Sequence, residues 1–206
     1  MPVKKTKKKS RSTVSTKKMA KIANEMIDKR AELKRITLTR AAAGVDYSGV
    51  CVSLSDITQG DTPTTRDGNS VVFRELKLRY TITPADATNL MRVIVFRWLP
   101  LDSTPPTPGQ ILLTIGSALA PLSVRYPVFP SLYKVYYNKL HDVDTTSKVQ
   151  VKGRVVIRKK MGIQKTEYNN TSSDGVGKLY ILAISDSAAA THPSIQWYGQ
   201  LRYNDM

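Results

Sequence analysis

From residue 50 onward the chain falls into short runs in which apolar and polar side chains alternate, separated by turn-forming residues. A period of two marks a β-strand with one core face and one wet face. In 71–83, Val72, Leu76, Leu78, Tyr80 and Ile82 share one face, and Glu75, Lys77, Arg79 and Thr81 the other. Val149, Val151, Val155 and Ile157 oppose Lys148, Gln150, Lys152, Arg154 and Arg158. Val50, Val52 and Leu54 lie together in 50–57, Tyr133, Val135 and Tyr137 in 132–140, and Ile195, Trp197, Leu201 and Tyr203 in 195–203. The run 91–98 is apolar on both faces, Val93 and Val95 against Ile94, Phe96 and Trp98, as in a strand buried centrally. With 179–185 this makes seven strands, and the short apolar segment 111–115 reads as a turn of helix or a brief strand.

The connections are long. The segment 59–69, QGDTPTTRDGN, is dense in turn formers, and 99–110, LPLDSTPPTPGQ, holds four prolines and reads as a loop. The stretch 159–177 is another long connection. Many strands with no helix between them specify an all-β sandwich or barrel. No internal repeat suggests a propeller or solenoid.

The first forty residues follow other rules. Residues 1–16 carry almost no apolar side chains, so they cannot offset the entropy of ordering and are expected to be disordered when free. In 17–36, Met19, Ile22, Ala23, Met26, Ile27 and Leu33 fall mostly at helical spacing, with Thr16 as N-cap and Glu25 four residues before Lys29. Lys17, Lys18 and Lys21 crowd the start of that helix, where cations oppose its dipole; a phosphate or a packed neighbour would relieve them. Small residues in Thr37–Gly49 then suggest a hinge. The expected division is a disordered arm at 1–16, a basic amphipathic helix and hinge at 17–40, and a β domain at 41–206.

Charge sharpens this division. The net charge is +16, and residues 1–40 hold fourteen Lys and Arg against three acids, a net of +11. Such a concentration implies a polyanionic partner. Lys4, Lys5, Lys7, Lys8, Lys9, Arg11, Lys17, Lys18 and Lys21 are the candidate nucleic-acid-binding residues. The run KKTKKKSR also has the composition of a nuclear-import signal, or of a solvated tail. A second basic face, Lys148, Lys152, Arg154 and Arg158 with Lys159 and Lys160, would touch a genome if it faced inward. Facing outward, it would suit an anionic receptor or simply be a wet sheet surface.

Catalytic chemistry is sparse. The only histidines are His141 and His192, and no metalloprotease, hydrolase or P-loop motif is present. His141-Asp142-Val143-Asp144 reads as a polar strand-to-loop junction rather than an acid/base site. Asp56, Asp61 and Asp67 are candidate calcium ligands at a subunit contact, although their spacing is not that of an EF-hand. The single cysteine, Cys51, excludes an intrachain disulfide, and no run of about 20 apolar residues would span a bilayer. The N-terminus has no signal-peptide pattern, so a non-secreted protein without membrane insertion is expected.

The order of parts is distinctive: a basic arm, a short basic helix, then Ser55-Asp56-Ile57-Thr58-Gln59-Gly60-Asp61 closing a strand. Arg66-Asp67-Gly68-Asn69 follows, then a long strand 73–83, Arg92-Val93-Ile94-Val95-Phe96-Arg97-Trp98 and a Thr-Pro loop. This order resembles the capsid proteins of satellite tobacco necrosis virus and of small circular Rep-encoding single-stranded DNA viruses, with the specific likeness in 54–106. The resemblance implies an eight-stranded antiparallel jelly roll, sixty copies in a T=1 shell, and arms bound to a packaged single-stranded genome, DNA before RNA. It implies a virion component with no enzymatic role, an unidentified host receptor, and a passage through the nucleus if the basic run is an import signal. The alternative is a non-viral nucleic-acid-binding β-barrel with a basic tail, in which Tyr133, Tyr136 and Tyr137 beside Lys134 and Lys139 would stack bases.

Overall fold

The computed structural model describes Met19 and residues 32–100, 103–127, 131–158, 165–188 and 191–205. Two antiparallel sheets make up the unit that begins at Leu33. In sheet A the order is β1 (Leu33–Gly44), β10 (Ser194–Asp205), β3 (Ser70–Thr83) and β6 (Val151–Ile157). In sheet B it is β2 (Val50–Ser53), β9 (Leu179–Ser185), β4 (Thr88–Trp98) and β5 (Tyr133–Asp144). The chain passes back and forth between the sheets, from β1 to β2, β2 to β3, β3 to β4 and β5 to β6, then into β9 and out again to β10, so the two sheets wind together as a jelly roll. A closed barrel of the alternative kind is not formed. β7 (Lys165–Tyr168) pairs with the first residues of β3, and β8 (Gly175–Val176) with β7. The described residues therefore hold ten strands where eight were expected.

β1 is the strand that alternation did not reveal. Residues 33–44 were assigned to the end of a helix and a hinge; they pair along β10 instead, and the sheet body starts at Leu33, not at 41. Ile36 and Leu38 face the core as a strand would have them, but the next core-facing positions on either side are Lys34 and Arg40. Lys34 is 3 % exposed and its ammonium lies 2.6 Å from Asp67 and 3.3 Å from Asp205. Burial pulls its pKa down, but the hydrogen bonds to the two carboxylates prevail and hold it above the usual lysine value. Arg40 lies 4.9 Å over the Trp197 ring. Two cations on a core face broke the apolar rhythm. Of the expected helix, Met19 is helical and the rest of 17–31 lies outside the described residues, as does the arm 1–16.

A second departure comes from a bulge. Val71 and Phe73, not Val72, join Leu76 and Leu78 in the core. Glu75 pairs with Arg202 and Phe73 with Tyr203, so Arg74 is the extra residue that reverses the parity of the strand.

The main core lies between the sheets, with Leu76, Leu78, Ile82, Met91, Val93, Val95, Ile181, Ile195 and Leu201 all buried. A second core lies on the other side of sheet B. There Ile94, Phe96 and Trp98 of β4 and Tyr180, Leu182 and Ile184 of β9 pack under Ile111, Leu112, Ala120 and Tyr133. Part of the covering segment is the proline-rich stretch expected to be a loop; it contains the one-turn helix α1 (Pro108–Ile111) and, further on, a 3-10 turn at Ala120–Leu122. The two-sided apolar character of 91–98 thus has a direct cause: β4 is covered on both faces.

A polar network crosses the main core. A Cβ at Gly153 would lie 2.0 Å from the Tyr80 ring, so only glycine lets that ring settle over β6. From there Tyr80 Oη meets His141 Nε2 at 2.7 Å and Tyr137 Oη at 2.6 Å, joining sheet A to β5 of sheet B. Burial, aided by the Lys139 charge, pushes His141 down to about 4. Its folded pKa lies below the ordinary 6.5, so the unfolded chain binds more protons and stability falls as pH drops from about 6.5 to about 4. Denaturant melts across that window should show a loss of about 2–3 kcal/mol that His141→Gln lacks. Equal pH slopes in the two proteins would contradict a neutral, buried imidazole.

Candidate nucleic-acid interface

Because the segment before β5 covers sheet B, sheet A alone keeps a face free of the described chain. Its outward positions follow from register. Arg35 of β1 stands opposite Arg202 of β10, and Arg202 opposite Glu75 of β3. One row along, Gln200 stands opposite Lys77. In the next, Thr39, Tyr198, Arg79 and Arg154 form a line across all four strands. Thr81 and Lys152 follow. Arg158, just past β6, reaches back to Glu75.

Seven cations therefore share this face, Arg35, Lys77, Arg79, Lys152, Arg154, Arg158 and Arg202, and on these four strands the single outward carboxylate is Glu75. Glu75 serves three of them at once: Lys77 at 3.0 Å, Arg202 at 3.3 Å, and Arg158 through its Nε. Burial raises its pKa, but the bonds from Lys77 and Arg158 outweigh that and hold the carboxyl below the usual range. Among the described residues no carboxylate pairs with Arg79 or Arg154. They face each other directly across the β3–β6 ladder, where like charges are destabilising. Arg35 and Arg202 repeat the arrangement across β1–β10. A polyanion would relieve both pairs, and guanidinium forks match phosphate geometry.

Shallow grooves flank Tyr198 on this face. One, of about 170 Å³, is lined by Lys77, Arg79, Arg154, Gly199 and Gln200 among others. Its neighbour, of about 250 Å³, is lined by Arg40, Arg79, Thr81, Gln196 and Trp197. Neither includes an acidic residue.

Of the basic face expected from sequence, Lys152, Arg154 and Arg158 point outward together. Lys148 does not join them: β6 begins only at Val151, and Lys148 sits in the preceding turn, 2.7 Å from Asp142. Lys159 and Lys160 lie outside the described residues, as do Lys4, Lys5, Lys7, Lys8, Lys9, Arg11, Lys17, Lys18 and Lys21. Arg35, Tyr198 and Arg202 were not recognised. Their outward alternation is visible in the sequence, but their juxtaposition with β6 depends on strand order, which is not.

The other candidates resolve into structural roles. Asp56 is 2.6 Å from the buried Lys178, and Asp67 is held by Lys34. Among the described residues no three His, Cys, Asp or Glu side chains gather as a cation site, and Asp61 joins neither pair. Arg66 of the turn segment is fully buried and donates to the carbonyls of Ile57, Gly68, Asn170 and Ser172, clamping two loops together. Asp144 accepts N–H bonds from Thr146, at 2.8 Å, and from Lys148, at 3.1 Å, closing the β5–β6 turn. Burial pushes the Cys51 thiol up to about 12, which disfavours the thiolate. Tyr133 is buried in the second core, Tyr137 belongs to the Tyr80 network, and Tyr136 packs half-buried against the main core with the Lys134 ammonium 5.7 Å from its ring, so the three tyrosines form no shared stacking face.

The model of the satellite tobacco necrosis virus coat protein family matches residues 3–206. The chain belongs to that family. No curated protein matches it. Among solved structures it is similar to that of Desmodium yellow mottle tymovirus, with 14 % identity over 85 % of this chain and 87 % of that one, and a TM-score of 0.41. It is also similar to turnip yellow mosaic virus, at 12 % identity over 85 % and 82 % of the two chains and TM-score 0.39. The empty head of that virus matches at 14 % identity over 99 % and 90 %, with TM-score 0.40. The family match falls on the satellite-virus half of the resemblance in the sequence; the likeness to circular Rep-encoding viruses, and the preference for DNA that came with it, gains no support.

In this coat protein, replacing one of a like-charged pair should stabilise the subunit. Arg154→Thr is expected to add a few tenths of a kcal/mol at low ionic strength, a gain that disappears near 1 M salt, while weakening retention on heparin. A variant less stable than the parent at every salt concentration would show that the Arg79–Arg154 pair is not repulsive.

Proposed function

We propose that this coat protein closes into a small T=1 shell of sixty copies and packages a single-stranded genome by neutralising its phosphates. The observation that carries the proposal is the charge arrangement. A bare sheet face with seven cations and one carboxylate belongs to the same chain as a segment before β1, residues 1–32, with eleven Lys and Arg against three acids, a net charge of +8. Lys4, Lys5, Lys7, Lys8, Lys9, Arg11, Lys17, Lys18 and Lys21 supply most of the charge of that segment, and Lys152, Arg154 and Arg158 with their neighbours supply a lining carried by the sheet. Sixty segments of net charge about +8 bring roughly 480 positive charges, enough to offset part of a strand of one to two kilobases once counterions are released. Phosphate is common to RNA and DNA, so this mechanism accepts either.

Contacts between copies need apolar surface that a lone subunit exposes. The cover of sheet B provides it: Leu113, Leu119, Leu122 and Val124 are each more than half exposed, with Ile115 and Leu140 close behind. Such a concentration of exposed aliphatic side chains is costly for a protein that stays single and suits one that associates. No step in this function requires a catalytic group, and the arrangement of His141, Asp142 and Asp144 supplies none.

Negative-stain electron microscopy of the purified full chain, with absorbance at 260 and 280 nm on the same fraction, tests the proposal. Uniform closed shells holding nuclease-protected nucleic acid are expected, and deleting residues 2–21 should leave shells with a lower 260/280 ratio. Only monomers or dimers over a range of salt, pH and calcium would refute it.

A further inference from the structure

Tyr198 is the exposed aromatic of the basic face, with 59 % of its surface open. It sits mid-sheet on β10, whose backbone is paired to β1 on one side and β3 on the other, so the ring is carried by a fixed support rather than a loop. Grooves lie on both sides of it, and Arg79 borders each. The cation–ring contacts among the described residues fall on Trp197, Tyr168, Tyr136 and Tyr180, and ring–ring contacts fall elsewhere too, so no described ring or cation stacks on Tyr198. Arg79 is its direct cross-strand neighbour and Arg154 lies one strand further, about 10 Å from β10 at ordinary strand spacing.

We propose that Tyr198 is a stacking platform for an unpaired base of a single-stranded nucleic acid, with Arg79 and Arg154 holding the adjoining phosphates. This rests on the packaging reading and goes beyond it, because neutralisation alone requires no ring. An aromatic face beside cations is the combination that binds single strands without reading their sequence, since every base has a π-face and every nucleotide a phosphate. A duplex would not serve, because its bases are already stacked on one another. The same geometry accounts for a like-charged arginine pair next to an open tyrosine, which no contact among the described residues explains.

The test compares a single strand about ten nucleotides long with an abasic strand of the same length, measuring binding to the full-length protein by fluorescence anisotropy. The arm reads phosphates and treats the two alike; stacking favours the strand with bases by about 5- to 100-fold. Tyr198→Ala should abolish that preference without altering the dependence on salt. Tyr198→Phe, which keeps the ring, should retain it. Arg79→Gln should flatten the salt dependence and leave the preference in place. A preference that survives in Tyr198→Ala, or is lost in Tyr198→Phe, overturns the stacking role while leaving packaging intact. Binding of neither strand would overturn packaging as well. A sulfated oligosaccharide whose binding depends on Tyr198, where that of the nucleic acid does not, would overturn the proposal by assigning the face to a glycan.

Discussion

The structure depends on the burial of β4 and β9 on both faces. Seven consecutive residues of β9, Leu179–Ser185, are buried, and β4 sends Met91, Val93 and Val95 one way and Ile94, Phe96 and Trp98 the other. Such strands leave the middle of sheet B no wet surface, so a cover must form over its outer side; the segment before β5, with its single helical turn, provides it. At the edge, β5 keeps Lys134, Asn138 and Lys139 exposed. One consequence is asymmetry. Sheet A meets the core on one face only, and its other face is free to hold charge that no buried surface would tolerate. The aliphatic side chains that bulge from the cover are the second consequence, because a short segment spanning a wide sheet cannot turn every apolar group inward.

The interior contains more charge than an ordinary sandwich, and each charge has a stated partner. Lys34 is held by Asp67 and Asp205, Lys178 by Asp56, and Arg66 by carbonyl oxygens from two loops. Arg97 donates to the Gly177 carbonyl at 2.8 Å. Removing either member of such a pair would strand the other, which costs more than the pair gains. These interactions bind the turn-rich segment 56–69 to the strands beside it. Asp56 and Asp67, two of the three aspartates that suggest calcium ligands in the sequence, pair with lysine ammonium groups in the fold.

That exchange marks the limit of what alternation reveals. Where a strand has an apolar core face, as in 76–82, 91–98 and 195–203, its existence and facing were legible. Where the core face holds Lys34 and Arg40, the strand was invisible and a helix with a hinge took its place. At Arg74 one extra residue reversed the parity of Val71, Val72 and Phe73, and a pattern cannot announce a bulge. The basic interface was half legible for a similar reason. The outward cations of β6 declared themselves, but Arg79, Tyr198 and Arg202 belong to strands far away in the chain. Only the ladder places them beside Arg154.

The central claim is that the bare face of sheet A meets the enclosed nucleic acid. A cryo-electron microscopy reconstruction of purified, filled shells tests this most directly. The account predicts that Lys77, Arg79, Arg154 and Tyr198 line the lumen in contact with nucleic-acid density, with the cover of sheet B turned away from it. Shells in which that face points to the outside, with the lumen lined by the cover instead, would contradict it.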